Sequence, residues 1–527
     1  MNKLLESPEI LDVPEMAAEP QTSAPAAVSS GGNISILNDK RPKVQLPGDN
    51  YLLSDCAREI GRILAPKDIF ARGGLAFVIN ERKDGLAPMT PETLRTWIEK
   101  YLVCYKVRKL TGTDEAIQFK RTITQTDASG ILASPQFMEQ LQQIERFNPI
   151  RVPIVRRDGN VDLLPEGYDE ETKSFTCDSV PFISGMDVTT ARGTIDEILS
   201  EFLFADSGRS KAVAVASMLS VFGRGLLPPK SLRPCFIFLA NAEGAGKTLL
   251  VKCATVPVLG YAPTGTKPKD EDEMRKVLLT AVIEASPVIF FDNVKGHFTS
   301  AALEGFLSAQ DYAGRILNLS KNFRGENNAV VFITGNGCTV SPDMRRRSLF
   351  CELFIEVEHA EDRVFHNNLE VPMLLARRAD ILTALWALIQ HWDKDLRPRP
   401  SRSNSSFPDW SEIIGGIVEH AGYGCPLETP QIEAAADQDG TDMRALVKAI
   451  ANGAKFKAVQ FEEVVDVARA GGLFEWIITP EGDLEPKPKA TFARLLKGYD
   501  RRLIGEFRFI LLGKGRNRRF QVEEISK

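Results

Sequence analysis

Long apolar runs are missing from this 527-residue sequence. No uninterrupted apolar stretch reaches the roughly 18 residues that a membrane-spanning helix needs. The first residues, MNKLLESPEILDVPEM, are acidic and lack the basic-then-apolar order of a signal peptide. We therefore expect a cytoplasmic protein with no membrane partner.

Paired cysteines are also missing. The eight cysteines form no CxxC pair and are accompanied by only five histidines, which argues against a zinc site or a disulfide framework and fits a reducing compartment. The formal net charge of -5 shows no general excess of positive charge. Any surface that binds nucleic acid must therefore be local.

The length predicts about three or four domains. Residues 1–48 are rich in Pro, Ala, Ser and Glu, and we interpret them as a disordered tail. Residues 49–185 are predicted to form a small α/β domain. Residues 186–430 are predicted to form a larger α/β domain with a helical C-terminal part. Residues 431–527 contain three predicted helices and a terminal hairpin, which suggest a winged helix.

The small domain of residues 49–185 has clear local signals and no catalytic cluster. Helices are predicted to begin at Thr90 and Ser134, each followed by a proline suited to the first helical position. Two short strands are predicted on either side of Asp158 and Gly159. An interaction or oligomerisation domain is the preferred interpretation.

Three short apolar runs mark the larger domain: CFIFLA, PVIFFDN and AVVFITGN. Runs of this length are typical of buried parallel strands with helices on both faces of the sheet. Each run ends in a polar or small residue, and ligands of such sheets bind at the carboxyl ends of the strands. The fold class is therefore α/β, with a ligand site at that edge.

The segment NAEGAGKT follows the first of these strands and precedes a helix, as a phosphate-binding P-loop requires. Glycines let backbone amides approach the phosphates, a lysine reaches the β and γ oxygens, and a threonine hydroxyl binds Mg²⁺. The sequence thus predicts that ATP and Mg²⁺ bind here. The predicted contacts are Asn241, Gly244, Ala245, Gly246, Lys247, Thr248 and Leu249. Asn241 replaces the usual first glycine, and asparagine tolerates positive φ.

Asp292 ends the second strand, 45 residues after Lys247, where an aspartate contributes to the magnesium shell. Asn293 comes next and can orient a water molecule, but an amide cannot take its proton. Asn336 ends the third strand, where it can position the attacking water. Each strand taken alone is better explained as plain core, and the three strands in this order and at this spacing favour ATP binding.

Three consecutive arginines, Arg345, Arg346 and Arg347, follow in SPDMRRRSLF. One of them can reach the γ-phosphate of a neighbouring subunit as an arginine finger, with Arg346 preferred over Arg347. The other interpretation is a solvated basic helix end. A finger acting in trans would make the active unit a ring.

With NAEGAGKT, FFDNV, FITGN and the D-x-x-R-R of Asp343, Arg346 and Arg347, the chain resembles superfamily 3-type AAA+ helicases of phages, plasmids and large DNA viruses. It is most similar to the helicase part of phage- and poxvirus-type primase-helicases. The resemblance implies a homo-hexamer that moves on single-stranded DNA. No primase module is evident, so the primase or another replication partner would be a separate protein.

The resemblance also implies a DNA-gripping β-hairpin before the third strand. Its strands are predicted at Ile316–Ser320 and Ala329–Ile333. Lys321, Phe323 and Arg324 would lie near the tip, and two cations with one aromatic suit a contact to single-stranded DNA. An exposed basic turn is an equally good explanation of these residues.

The C-terminal region is basic on a chain that is acidic elsewhere. Eleven Lys or Arg and only two acidic residues lie between Lys487 and Arg519. The predicted wing would place Lys514, Arg516, Arg518 and Arg519 along a phosphate backbone, including that of duplex DNA. A solvated tail hairpin is the other interpretation.

Two functions remain open on these motifs. One is a replicative helicase that couples ATP hydrolysis to unwinding on a phage or another mobile element. The other is a DNA-binding ATPase that acts as an initiator, a loader or a defence switch without processive unwinding.

Overall fold

A computed structural model describes most of the chain beyond residue 38. The described residues are 39–48, 51–109, 116–178, 180–206, 208–241, 244–266, 268–316, 322–354, 369–428, 438–454, 457–479, 482, 484, 486–501, 503–504, 507–513 and 519–524. The chain divides into two compact units, of which one combines Met1–Ile63 with Thr90–Glu139 and the other combines Leu64–Met89 with Gln140–Lys527.

The first unit holds a three-stranded sheet in which Lys43–Gln45 runs parallel to Val103–Lys109, which in turn pairs antiparallel with Ala116–Lys120. Its helices are Leu53–Leu64 (whose last residue belongs to the second unit), Pro91–Tyr101, Gln125–Ala133 and Pro135–Met138. Val44 and Leu46 are buried, so the last residues of the predicted tail are part of the fold. The rest of that tail, residues 1–38, lies outside the described residues.

The helix predicted at Thr90 is confirmed, and the Thr90 hydroxyl accepts a hydrogen bond from the Thr93 amide at 3.2 Å. The helix predicted at Ser134 is shorter than expected and ends at Met138. Beyond it, Gln142–Gln143 is extended and pairs with Ile69–Arg72. Strand pairing therefore overrides the helical signal there.

Small sheets precede the main one in the second unit. Leu86–Pro88, Leu75–Ile79, Ile69–Arg72 and Gln142–Gln143 form one, and Gly167–Asp169, Ser174–Thr176 and Arg146–Asn148 form another. Pro153–Val155 and Val161–Leu163 form the hairpin predicted across Asp158 and Gly159.

These early segments share buried cores with the main sheet. Phe70 and Phe77 lie in one cluster with Ile237, and Ile154 and Leu164 lie in another with Phe236. The predicted domain boundary at residue 185 thus differs from the structure, in which residues 64–89 and 140–185 belong to the second unit.

The main sheet is parallel, as predicted. Its strand order is Val288–Phe298, Val330–Val340, Cys235–Ala240 and Ser348–Leu353. We name the first three the Asp292 strand, the Asn336 strand and the P-loop strand. A single parallel bridge between Thr266 and Phe291 continues the sheet beyond the Asp292 strand.

Helices cover both faces of this sheet. Successive side chains of a strand point to opposite faces, so strands that are apolar throughout present an apolar surface on each face. Along the P-loop strand, Phe236 and Phe238 enter one buried cluster, whereas Cys235 and Ile237 enter the other. The helices that follow the small sheets are Val188–Leu199, Arg209–Phe222, Lys247–Leu259, Glu271–Ile283, Ala301–Leu307, Pro342–Arg346, Val371–Ala376, Arg378–Lys394, Pro408–Trp410 and Gly416–His420, with a 3₁₀ turn at Gly223–Leu226 and a π-helical turn at Ser411–Gly415. The α/β fold class is confirmed at this level.

The C-terminal region has a buried core of its own that includes Phe474, Phe492, Phe509 and Phe520. Its helices are Gln438–Ala454, Phe461–Ala470 and Pro486–Gly498, and its sheet order is Val459–Gln460, Arg519–Glu524, Phe507–Leu512 and Leu503–Ile504. The three helices and the terminal hairpin that the sequence predicts are present. Within the described ranges, no helix combines the length and the apolar character needed to cross a membrane.

Candidate nucleotide site

The P-loop connects the end of the P-loop strand to the helix Lys247–Leu259. Gly244 has φ +78° and Gly246 has φ +93°, a backbone region that residues other than glycine rarely adopt. Gly246 directly precedes the first helical residue, where free amide groups and the helix dipole favour a bound anion. Within this loop Asn241 is exposed and Ala245 is buried, whereas residues 242–243 lie outside the described part.

Lys247 and Asn336 meet across two neighbouring strands. Ala240 of the P-loop strand lies opposite Asn336 in the parallel register, which places the helix that follows the P-loop beside this amide. The Lys247 ammonium donates to Asn336 Oδ1 at 2.5 Å, and the lysine is only 9% exposed. The predicted lysine and water-positioning asparagine thus converge at one edge of the sheet.

Asp292 accepts hydrogen bonds from two hydroxyl groups at the same edge of the sheet. Its Oδ1 accepts from Thr248 Oγ1 at 3.2 Å and from Thr334 Oγ1 at 2.5 Å. Gly265 packs so closely that a Cβ there would lie 2.4 Å from Asp292 Cβ. Carboxylate and hydroxyl oxygens are the donors that Mg²⁺ prefers, so Thr248 and Asp292 fit the magnesium shell of a bound nucleotide.

Sequence reasoning missed Thr334. A usable signal was present, because Thr334 lies two residues before Asn336 and side chains two apart in a strand share a face. Thr334 Oγ1 also accepts a hydrogen bond from the backbone N–H of Asn293 at 2.9 Å, so one hydroxyl positions both residues of the Asp292–Asn293 pair.

Asn293 is exposed and adopts φ +53°, at a register shift of the Asp292 strand between Phe291 and Val294. Asparagine is among the few residues that tolerate this left-handed conformation. The side chain at this position is an amide, which can orient water and cannot act as a general base.

Replacing Thr334 with valine is expected to lower ATP turnover about tenfold. The Asp292 carboxylate loses a hydrogen-bond donor, and the backbone N–H of Asn293 loses its acceptor. Steady-state hydrolysis at saturating Mg²⁺ measures the effect. Thr339→Val is the matched control in the same strand, since the Thr339 hydroxyl contacts His297 instead. Equal rates for the two variants would show that Thr334 does not position Asp292.

The two candidate finger arginines differ in exposure. Arg346 has a side chain that is 60% exposed and pairs with Asp343 at 3.0 Å. Arg347 is 17% exposed, pairs with Asp343 at 3.3 Å and donates to the Asp343 carbonyl at 3.0 Å. Arg346 is therefore freer to reach outward, and the finger itself stays a prediction.

A hairpin precedes the Asn336 strand, and its strands are Asp311–Arg315 and Asn322–Glu326. Residues 317–320 of the predicted strand Ile316–Ser320 lie outside the described residues, whereas the second predicted strand, Ala329–Ile333, is not part of this hairpin. Residues 329–333 lie at the start of the Asn336 strand and immediately before it, and are buried. Lys321 lies outside the described residues.

Phe323 and Arg324 are neighbours in the second hairpin strand, and their side chains differ in exposure. Phe323 is fully buried, with its ring 6.0 Å from Phe77 and with the Arg72 guanidinium 5.3 Å from its centre, which corrects its expected place at an exposed tip. Arg324 has a side chain that is 74% exposed and pairs with Asp311 at 3.0 Å. Burial lowers the pKa of Arg72 to about 10.

The basic C-terminal hairpin is present in the predicted place, with Leu512 opposite Arg519. Arg519 is exposed at the end of the hairpin that leads into the turn. The other three predicted wing residues, Lys514, Arg516 and Arg518, lie outside the described residues.

No protein-family model matches this chain. No curated protein matches it either. Among solved structures, the A-form apo structure of the NrS-1 C-terminal region has a TM-score of 0.41 at 11% identity, covering 89% of this chain and 98% of that chain. The SCCmec type IV Cch active helicase has a TM-score of 0.29 at 9% identity, covering 87% and 97%. JCV helicase has a TM-score of 0.20 at 12% identity, covering 46% and 74%.

Two of these three structures are named helicases. Likenesses at these TM-scores do not decide function. The functional argument therefore rests on the geometry of the site.

Proposed function

We propose that this chain is an ATP-dependent DNA helicase of a mobile element, which assembles as a ring and moves on single-stranded DNA during replication. One observation carries the proposal: Lys247, Thr248, Asp292 and Asn336 converge at the carboxyl edge of the parallel sheet, beside a glycine-bounded helix N-terminus. Their chemistry matches a nucleoside triphosphate bound with Mg²⁺.

Each of these side chains has a distinct task in hydrolysis. The Lys247 ammonium neutralises charge on the terminal phosphates, and the backbone amides that follow Gly246 hold their oxygens. Thr248 and Asp292 would hold Mg²⁺, which would supply further stabilisation of the charge on the transferred phosphoryl group. Asn336, already at hydrogen-bond distance from Lys247, orients the attacking water.

The ring and the DNA contacts complete the proposal. Arg346 would approach the γ-phosphate of the neighbouring subunit, in a homo-hexamer. Arg324 and Lys321 of the hairpin would hold single-stranded DNA. The three C-terminal helices and their hairpin would form a winged helix that contacts DNA backbone through Arg519 and the basic turn. A separate primase would supply primers.

ATP hydrolysis by the full chain, measured with and without single-stranded DNA, tests the proposal. We expect a DNA-stimulated rate that is lost in Lys247→Ala. Strand displacement from a forked duplex then tests unwinding. Tight ATP binding with negligible turnover in both conditions would contradict the helicase proposal.

Replacing Lys321 and Arg324 together with alanine is expected to remove DNA stimulation while leaving the basal ATPase rate unchanged, because both cations are assigned to DNA and neither to the nucleotide. The measurement is the ratio of rates at saturating and zero single-stranded DNA. Arg275→Ala is the control, since Arg275 is another exposed arginine with a nearby carboxylate partner, Asp272 at 2.6 Å. Stimulation that persists in the double variant would remove the hairpin from the DNA path.

A second candidate function has its own support. Asn293 occupies the position after Asp292 with an amide, so hydrolysis lacks a carboxylate base at this place. Slow turnover suits an initiator, a loader or a defence switch that binds DNA without processive unwinding. DNA-dependent ATPase without strand displacement would favour this candidate.

A further inference from the structure

Two histidines and one aspartate meet at the ends of two helices in the helical part that follows the main sheet. His391 lies in the last turn of Arg378–Lys394, Asp395 follows that helix directly, and His420 ends Gly416–His420. One ligand atom from each residue lies within 4.8 Å of the others. His420 Nε2 is 2.8 Å and His391 Nδ1 is 3.9 Å from Asp395 Oδ2.

The donor set is specific in its chemistry. Two imidazole nitrogens and one carboxylate oxygen suit Zn²⁺ and neighbouring transition metals, whereas Mg²⁺ and Ca²⁺ prefer oxygen donors. The two rings lie face to face, with centres 4.5 Å apart and planes at 20°. His420 Nε2 and His391 Nδ1 both lie near Asp395 Oδ2, and rotation of the two rings away from the stacked arrangement would let the three donors approach one ion.

The surroundings also favour a cation. Both helices present their C-terminal ends here, and the partial negative charge of a helix C-terminus attracts positive charge. An open cavity of about 410 Å³ adjoins the two imidazoles and leaves room for water to complete the coordination.

The charged groups that line this cavity already have partners. Arg192 donates to the Gly422 carbonyl at 3.4 Å and stacks on the Tyr423 ring. Asp196 pairs with Lys211 at 2.8 Å. The Arg192 guanidinium is therefore held in place by Gly422 and Tyr423.

We propose that His391, Asp395 and His420 form a binding site for Zn²⁺ that is distinct from the nucleotide site. The ion closes the chain between Asp395 and His420 into a loop. Asn404, within that loop, donates to the Arg346 carbonyl at 3.4 Å. The metal therefore stabilises the segment that packs behind the candidate finger arginine, and it has no step in hydrolysis.

This proposal goes against the sequence expectation of no zinc site. That expectation rested on the absence of a CxxC pair and on the small number of histidines, whereas two of the five histidines and one aspartate are the ligands here. His391 and Asp395 are four residues apart, so they share a helix face, and His420 joins them only through the fold.

Titration of the metal-stripped full chain with Zn²⁺, in excess Mg²⁺ to fill the nucleotide site, tests the proposal. We expect one equivalent of Zn²⁺ to bind and to raise the melting temperature. His420→Ala and Asp395→Asn are each expected to weaken this binding at least ~10-fold and to abolish the thermal shift. His297→Ala is the matched control, because His297 stacks on Trp476 far along the chain from these ligands and should leave both readouts unchanged.

Asp395→Asn preserves the shape of the side chain, so it gives a readout even where His420→Ala does not fold. Co²⁺ provides an independent probe, since its visible d–d bands report tetrahedral nitrogen and oxygen donors and should disappear in His391→Ala. Unchanged stoichiometry and affinity in the ligand variants would overturn the proposal. Lys247→Ala should bind Zn²⁺ normally, which separates failure of this site from failure of the proposed ATPase.

Discussion

Replacing Lys247 with alanine is expected to lower ATP turnover about 100-fold or more, the scale of losing one preorganised group that stabilises transition-state charge. The lysine is nearly buried and its ammonium already lies 2.5 Å from Asn336 Oδ1. The variant therefore loses the proposed phosphate contact and also the group that holds Asn336 in place. Steady-state phosphate release at saturating Mg²⁺ and ATP measures the effect.

Lys252→Ala is the matched control for this prediction. Lys252 lies on the same helix, and its ammonium pairs with Glu370 at 2.6 Å instead of facing the P-loop. It should retain most of the wild-type rate, since a partly exposed ion pair contributes little to stability. Equal loss in both variants would point to damage of the helix, and no loss in Lys247→Ala would remove the P-loop from the mechanism.

Replacing Phe323 with alanine is expected to destabilise the protein by about 3–5 kcal/mol, the usual cost of removing a buried phenylalanine ring. The ring is fully buried beside Phe77 and under the Arg72 guanidinium. Gly73, at φ +55°, approaches so closely that a Cβ there would lie 2.7 Å from the ring. The residues around the ring are therefore packed too tightly to fill, without cost, the cavity that alanine would leave.

Urea unfolding followed by circular dichroism measures this change. Phe354→Ala is the control, because the Phe354 side chain is 52% exposed and should shift the unfolding transition by a few tenths of a kcal/mol at most. At temperatures where Phe323→Ala stays folded, DNA stimulation should be retained. Wild-type stability together with lost DNA stimulation would instead return Phe323 to a DNA-stacking role.

Local signals in the sequence were sufficient for much of the candidate site. The P-loop, the strand ending at Asp292 and the strand ending at Asn336 depend on short-range spacing and on apolar runs of strand length. The start of the helix at Thr90 depends on one hydroxyl and one proline. Such features are decided by neighbours along the chain, so they can be predicted from it.

The prediction of the hairpin shows where local signals stop being enough. The basic and aromatic residues were recognised, but the second strand was placed several residues too late, so Phe323 lies within a strand instead of at the expected tip. Burial of Phe323 depends on Gly73 and Phe77, which lie about 250 residues earlier in the sequence. No local pattern reports a contact at that separation.

The sequence by itself determined that a glycine-rich loop, a carboxylate and an asparagine would lie at the carboxyl edge of a parallel sheet. Only the tertiary structure decided that the Asn336 strand lies between the P-loop strand and the Asp292 strand, which brings Thr334 to Asp292 and Asn336 to Lys247. Only the fold joins His420 to His391 and Asp395. The physical reason is the same in each case: strand order and helix packing are set by burial of apolar surface among distant segments, whereas the sequence pattern records the periodicity of each segment alone.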